Sequence, residues 1–105
     1  MTILFDQGTP VPLRDALVGH TVETAYERGW STFGNGALLD AADAASFDVL
    51  ITTDQNLRHQ QQLATRRMAV IVLPTTRWPE IQQHTSEVVA AIATIRPGDY
   101  RDLHW

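Results

Sequence analysis

Two aspartates, Asp6 and Asp54, are the residues of this chain that are best placed to do chemistry. Asp6 follows the apolar run Thr2–Phe5, and Asp54 ends a second run that begins at residue 48. If both runs are parallel strands of one sheet, both carboxylates lie at the sheet edge where ligands bind. Like charges that close together resist joint ionisation unless a cation lies between them. The pair therefore predicts a Mg²⁺ or Mn²⁺ site, since these cations take one or two carboxylates and keep several waters. The alternative is that both aspartates cap helices or form turns.

Four further polar residues fall at the same predicted edge. Asn35 and Asn56 lie at the starts of predicted helices, where they either act as N-caps or complete a catalytic site with their amide oxygens. Thr53 and Arg58 are candidates for contacting a substrate phosphate, because a guanidinium group matches phosphate oxygens. The alternative for Arg58 is a solvated basic helix face, shared with the other basic residues of 58–67 and paired with nearby acids.

Composition limits the remaining possibilities. The chain has 105 residues, 44% of them hydrophobic and 19% charged, which predicts one domain spanning residues 1–105. It has no cysteine, so a disulfide framework and thiol chemistry are excluded, and a cytoplasmic location is the expectation. The net charge of −4 disfavours diffuse electrostatic binding to nucleic acid. The apolar run 68–73 is far shorter than the ~20 residues of a membrane helix, and the first residues do not resemble a signal peptide, so no membrane contact is expected.

The elements that must position these residues alternate between strand and helix. Strands are predicted at 2–5, 21–25, 48–54 and 68–73. Helices are predicted at 12–17, 36–46 and 56–67, followed by one long helix that Pro79 opens and Pro97-Gly98 closes. The tail 99–105 is either a fifth, edge strand or a loose end. This order predicts a three-layer α/β/α sandwich with a small, mainly parallel sheet of four to five strands.

The chain resembles a known family in the ordered combination of its motifs. These motifs are ILFDQGTP at 3–10, GW at 29–30, NGALL at 35–39 and DVLITTDQNL at 48–57. Together they look like the PIN-like family of small bacterial and archaeal proteins catalogued as DUF5615, over nearly the whole chain. The resemblance implies a PIN-like fold and kinship with ribonuclease toxins of the VapC type. In those toxins, clustered acids bind Mg²⁺ or Mn²⁺ and activate water to cleave RNA, and an antitoxin protein holds each toxin in check.

Carried over by position, Asp6 matches the family's first-strand acid and Asp54 the acid that ends its threonine-rich strand. Family members often have an additional acid in the stretch corresponding to 35–39, and many have Asp where this chain has Asn56. Two carboxylates thus remain where an active PIN nuclease usually has three or four. Glu23 and Glu27 are the candidates for supplying a missing acid.

Two functions follow as expectations. The first is a metal-dependent ribonuclease, the toxin of a toxin–antitoxin pair, with RNA and a cognate antitoxin as partners and a homodimer as a further option. The second is a catalytically degenerate PIN-like domain that binds RNA or protein. An aromatic surface around Trp30, Trp78 and Trp105 is the candidate for the antitoxin contact. A phosphate-accepting receiver domain also has acids at strand ends, but this chain has no lysine to pair with an acyl phosphate.

Overall fold

The computed structural model describes residues 1–57 and 66–105, which form a five-stranded, all-parallel sheet with helices on both faces. The strands are β1 (Thr2–Phe5), β2 (Thr21–Thr24), β3 (Val49–Thr52), β4 (Ala69–Val72) and β5 (Tyr100–Asp102). Their order across the sheet is β2-β1-β3-β4-β5, and every neighbouring pair is parallel. The predicted three-layer α/β/α sandwich is confirmed. The tail 99–105, predicted to be either an edge strand or a loose end, contributes the edge strand β5.

The sheet is buried on both faces, which explains why the central strands lack a polar–apolar alternation. Ile3, Phe5, Ile51 and alternate residues of β4 face one side, where they join the largest buried cluster of the described chain. Leu4, Leu50 and the other β4 residues face the opposite side and form a second cluster. Successive side chains of a strand point to opposite faces, so these short strands supply both cores.

Four helices of the described chain cover these two clusters. They are a 3₁₀ helix (Val11–Ala16), α1 (Asn35–Ala44), α2 (Trp78–Gln82) and α3 (Thr85–Thr94). The 3₁₀ helix, α2 and α3 cover the face of Phe5, and α1 covers the face of Leu4. The predicted helix at 56–67 falls largely on residues 58–65, outside the described residues. No helix in the two described segments is both long and apolar enough to cross a membrane.

The single long helix predicted after Pro79 is wrong, because the chain breaks at Gln83 and His84 into α2 and α3. The His84 amide bonds to Ile81 O, three residues back, instead of continuing the α-helical ladder. The His84 ring stacks on Trp105, with centroids 4.6 Å apart, and its Nδ1 lies 2.9 Å from Glu87 Oε1. These contacts favour the break, and the apolar repeat continues across it, since Ile81 and Val88 are both buried.

The strand order places Asp6 and Asp54 together. The chain runs from β1 outward to β2 and then returns to the other side of β1 to form β3. In open parallel sheets, ligands bind outside the carboxyl ends of the strands at the point where the order reverses. Here that point lies between β1, which Asp6 follows, and β3, which Asp54 follows.

Candidate functional site

Asp6 is held at the carboxyl end of β1 by three hydrogen-bond donors. Its Oδ1 accepts bonds from the Gly8 amide at 3.2 Å and from the Thr9 hydroxyl at 2.8 Å. Its Oδ2 accepts a short bond from the Thr52 hydroxyl. The side chain is half-buried, and these bonds fix the direction of its carboxylate.

The loop after β1 is joined to β3 through the carbonyl of Ile51. That carbonyl accepts the Asp6 amide at 3.2 Å, and it lies 2.8 Å from the Thr9 hydroxyl. Thr9 is buried, and its hydroxyl, which donates to Asp6 Oδ1, also lies within hydrogen-bond distance of Ile51 O. Thr9 therefore positions the Asp6 carboxylate relative to the neighbouring strand.

Gly8 lets the two loops approach each other closely. A methyl group added at Gly8 would overlap Thr53 Oγ1, with the Thr53 Cβ at 3.6 Å behind it. The Thr53 hydroxyl thus lies beside the loop that bonds Asp6, at the edge predicted for it.

Asp54 is oriented from two other directions. Its Oδ2 accepts the side-chain amide of Asn35 at 2.6 Å, and its Oδ1 accepts the backbone amide of Asn56 at 2.9 Å. The predicted N-cap role of Asn35 is wrong, because Asn35 is the first residue of α1 and Gly34 is the N-cap. The side-chain nitrogen of Asn35 donates to the carboxylate, and a role for its amide oxygen as a ligand stays a prediction. Asn56 is exposed and bonds Asp54 through its main chain.

Thr52 links the two aspartates. Its hydroxyl donates to Asp6 Oδ2 and accepts the Asp54 amide at 3.1 Å. The side chain is 1% exposed, so this bridge lies beneath the surface of the site. The strand register accounts for it, because Phe5 pairs with Ile51 and the next residues of the two strands, Asp6 and Thr52, come side by side.

The two carboxylates retain capacity for a cation. An ionised carboxylate offers about four lone-pair positions. Asp6 uses three of its positions and Asp54 two in the bonds described above. Carboxylates that ligate metals are themselves usually hydrogen-bonded, and such partners orient the ligand. The donor set fits a hard cation such as Mg²⁺ or Mn²⁺ that keeps most of its waters.

A third acid does not join the pair within residues 1–57 and 66–105, where no group of three or more Asp, Glu or His side chains could share a metal ion. Glu23, one of the candidate acids, lies 3.5 Å from Arg28. Glu27, the other, binds Arg14 at 2.6 Å and also lines a cleft that contains Asp6.

The basic stretch 58–67, predicted to contact a phosphate or to form a basic helix face, lies only partly within the described residues. Arg58, the candidate phosphate ligand, lies outside the described residues. Arg66, from the same basic stretch, pairs with Asp40 at 2.8 Å and Asp43 at 2.7 Å on α1, and its side chain is only 18% exposed.

The three tryptophans do not form one surface. Trp30 packs with the cluster under α1 and stacks on Phe33, with centroids 6.3 Å apart. Trp78 and Trp105 pack with the cluster on the opposite face of the sheet. An antitoxin surface that combines all three is therefore wrong, because the sheet separates them.

Comparison of the chain with protein-family models, with curated proteins and with solved structures found no match. The resemblance to the PIN-like family accordingly stands on the motifs at 3–10, 29–30, 35–39 and 48–57.

Proposed function

We propose that this protein is a divalent-metal-dependent ribonuclease, with Asp6 and Asp54 as its metal ligands. The observation that carries the proposal is the placement of both aspartates at the carboxyl ends of adjacent parallel strands, at the reversal of strand order, with Thr52 bonded to both. The resemblance of the motifs to PIN-like nucleases supports the same chemistry.

Two side chains are the proposed metal ligands, and three others orient them. Asp6 and Asp54 would hold Mg²⁺ or Mn²⁺ through their unused lone pairs, and the bound cation supplies an attacking water of lowered pKa. Thr9 and Thr52 fix the Asp6 carboxylate, and Asn35 fixes that of Asp54. A substrate phosphate would supply further oxygen ligands to a cation held by Asp6 and Asp54, because two carboxylates alone leave most of its positions to water.

The test is cleavage of labelled single-stranded RNA at millimolar Mn²⁺, with and without EDTA. Loss of an outer-shell partner of a metal typically costs about 10- to 100-fold, so loss of a ligand in Asp6→Asn or Asp54→Asn is expected to cost at least about 100-fold. Asp102→Asn is the matched control, since Asp102 is exposed at the same edge of the sheet but on β5. Absence of cleavage by the unaltered protein contradicts the proposal.

A second candidate is a degenerate domain that binds RNA or protein without cleaving it. It is favoured by the neutral groups that meet Asp54, the amide of Asn35 and the main chain of Asn56. Calorimetry separates the two candidates, since tight Mn²⁺ binding in the absence of RNA counts against a degenerate site.

The proposal extends to a toxin held by an antitoxin, which is the usual arrangement of the VapC-type toxins to which the resemblance implies kinship. A small antitoxin-like reading frame beside the gene, whose product binds this protein and blocks RNA cleavage, is the expected finding. A product that binds without blocking cleavage contradicts this extension.

A further inference from the structure

A cleft of about 370 Å³ opens at the carboxyl ends of β1 and β2 and shares Asp6 with the metal site. Its walls include Asp6, Thr9, Val11, Arg14, Tyr26 and Glu27. This volume lies near the lower end of the roughly 300–1,000 Å³ range of small-ligand pockets. The cleft can therefore hold a group of about the size of one nucleoside directly beside Asp6.

One wall of the cleft is an ion pair between Glu27 and Arg14. Glu27 accepts bonds from both terminal nitrogens of Arg14, at 2.6 and 3.3 Å. The Glu27 carboxylate also accepts the Thr24 amide at 2.9 Å, and the Thr24 hydroxyl accepts the Glu27 amide at 3.0 Å. This is the reciprocal arrangement of a capping box. The bonds from Arg14 and from the Thr24 amide lower the pKa of Glu27, so it is an anion at neutral pH. The positive charge of Arg14 is thus neutralised within the wall.

The other side of the opening is apolar and exposed. The Tyr26 side chain is 77% exposed and Val11 is 54% exposed, and both line the cleft. An exposed aromatic ring beside a cleft is a stacking platform for a nucleobase, and such stacking tolerates any base. Arg14 also has a buried Nε donor without a hydrogen-bond partner among the described residues.

We propose that this cleft holds the base and ribose of the RNA nucleotide adjacent to the scissile phosphate, with the base stacked on Tyr26. The proposal rests on the proposed ribonuclease function for the identity of the ligand. It places the phosphodiester at Asp6 and Asp54 and the neutral nucleoside in the cleft.

The charges favour a nucleoside over a phosphate group in the cleft. Asp6 and Glu27 carry two negative charges there against the single positive charge of Arg14. A phosphate would meet this net negative charge, whereas a base and ribose carry none. The phosphate position therefore lies outside the cleft, next to the carboxylates that a cation neutralises.

The test is titration of the full chain in EDTA with adenosine, a neutral nucleoside that carries no phosphate and needs no cation at Asp6 and Asp54, followed through amide NMR spectra. Shifts are expected at residues 9–14 and 24–28. Tyr26→Ala is expected to weaken binding about tenfold, because stacking on one aromatic residue contributes roughly 1–3 kcal/mol per base. Tyr26→Phe keeps the ring and should bind as the unaltered protein does. Val18→Ala is the control, since Val18 is 85% exposed and does not line the cleft.

The outcomes separate this inference from the ribonuclease proposal. If adenosine does not bind in EDTA, or binds equally well to Tyr26→Ala, the nucleoside cleft is refuted whether or not RNA is cleaved in Mn²⁺. If binding depends on the Tyr26 ring but RNA is not cleaved in Mn²⁺, the cleft is supported as a nucleoside site and the nuclease activity is refuted. Because Tyr26 is largely exposed, loss of folding does not obscure the result.

Discussion

The buried hydroxyl of Thr52 donates a hydrogen bond to the Oδ2 of Asp6, so a core residue of β3 positions a carboxylate that follows β1. The hydroxyl oxygen of Thr52 also accepts a hydrogen bond from the Asp54 amide. A residue that is 1% exposed cannot reach a substrate, and its polar group is satisfied by the two aspartates. Thr52 is therefore a positioning residue for the candidate metal site.

Replacing Thr52 by valine keeps the side-chain shape and removes the hydroxyl. The Asp54 amide then loses its partner, and Asp6 loses one of its three donors. We expect a loss of about 1–3 kcal/mol in the free energy of unfolding and a fall of about 10- to 100-fold in Mn²⁺ affinity. Urea denaturation and calorimetry measure the two effects. Thr21→Val, at an exposed β2 position, is the control, and an equal response of both variants contradicts the positioning role.

Gly8→Ala tests the close approach of the two loops. The added methyl group overlaps Thr53 Oγ1, so we expect destabilisation of about 1–3 kcal/mol, as for other overpacked sites. Thr53→Ala removes that oxygen and leaves the Cβ at an ordinary contact distance of 3.6 Å. The double variant should recover most of the loss in urea denaturation. Additive effects of the two changes would show that the overlap is not the cause.

The sequence predicts the fold well because its signals are local. Buried strands are continuous apolar runs, and Asp6 and Asp54 follow two of them, so their shared edge is predictable from β–α alternation. The break at His84 is not predictable from the local sequence, because it accompanies stacking of the His84 ring on Trp105, 21 residues further along the chain. Likewise, the amide of Asn35 bonds Asp54 instead of capping its own helix, a contact that only the packed structure brings together.

The pairing of Glu27 with Arg14 predicts a pH dependence of stability. Because its pKa is lowered in the folded protein below the ordinary value of 4.5, Glu27 stabilises the fold above that pH. The stabilisation disappears as pH falls through the lowered pKa. The melting temperature of Glu27→Gln should therefore lie below that of the unaltered protein by a constant amount at neutral pH, and the gap should close below about pH 4.5.

The control for this titration is Val18→Ala, because Val18 is exposed and carries no titratable group. Its melting difference should change little over the same pH range. A gap for Glu27→Gln that is unchanged at acidic pH contradicts the lowered pKa.

Ser46 is a site at which stability can be increased. It has φ 64° directly after α1, and it is the only residue other than glycine with positive φ among residues 1–57 and 66–105. Its amide bonds Asp43 O and the next amide, of Phe47, bonds Ala42 O, which together form a Schellman motif. Ser46→Gly should raise the free energy of unfolding by about 1 kcal/mol, since a left-handed residue with a side chain costs roughly 1–2 kcal/mol. Ser46→Ala lacks this gain, and a gain of the same size for alanine contradicts the explanation.

The cleft residues Arg14 and Tyr26 could not be selected from the sequence. Arg14 is one of eight basic residues, all arginine, and nothing in its local pattern marks it. Only the parallel pairing of β2 with β1 brings the 24–27 turn beside Asp6. The Thr-x-x-Glu spacing at 24–27 is a readable capping signal, but it does not indicate a ligand.

The central claim, that Asp6 and Asp54 hold one divalent cation between them, is tested most directly by titrating the protein with Mn²⁺ and following paramagnetic broadening of its amide NMR signals. We expect broadening to begin at residues 6–9 and 52–56, to be lost in both Asp6→Asn and Asp54→Asn, and to persist in Asp102→Asn. Broadening that begins elsewhere, or that survives in either of the first two variants, contradicts the claim.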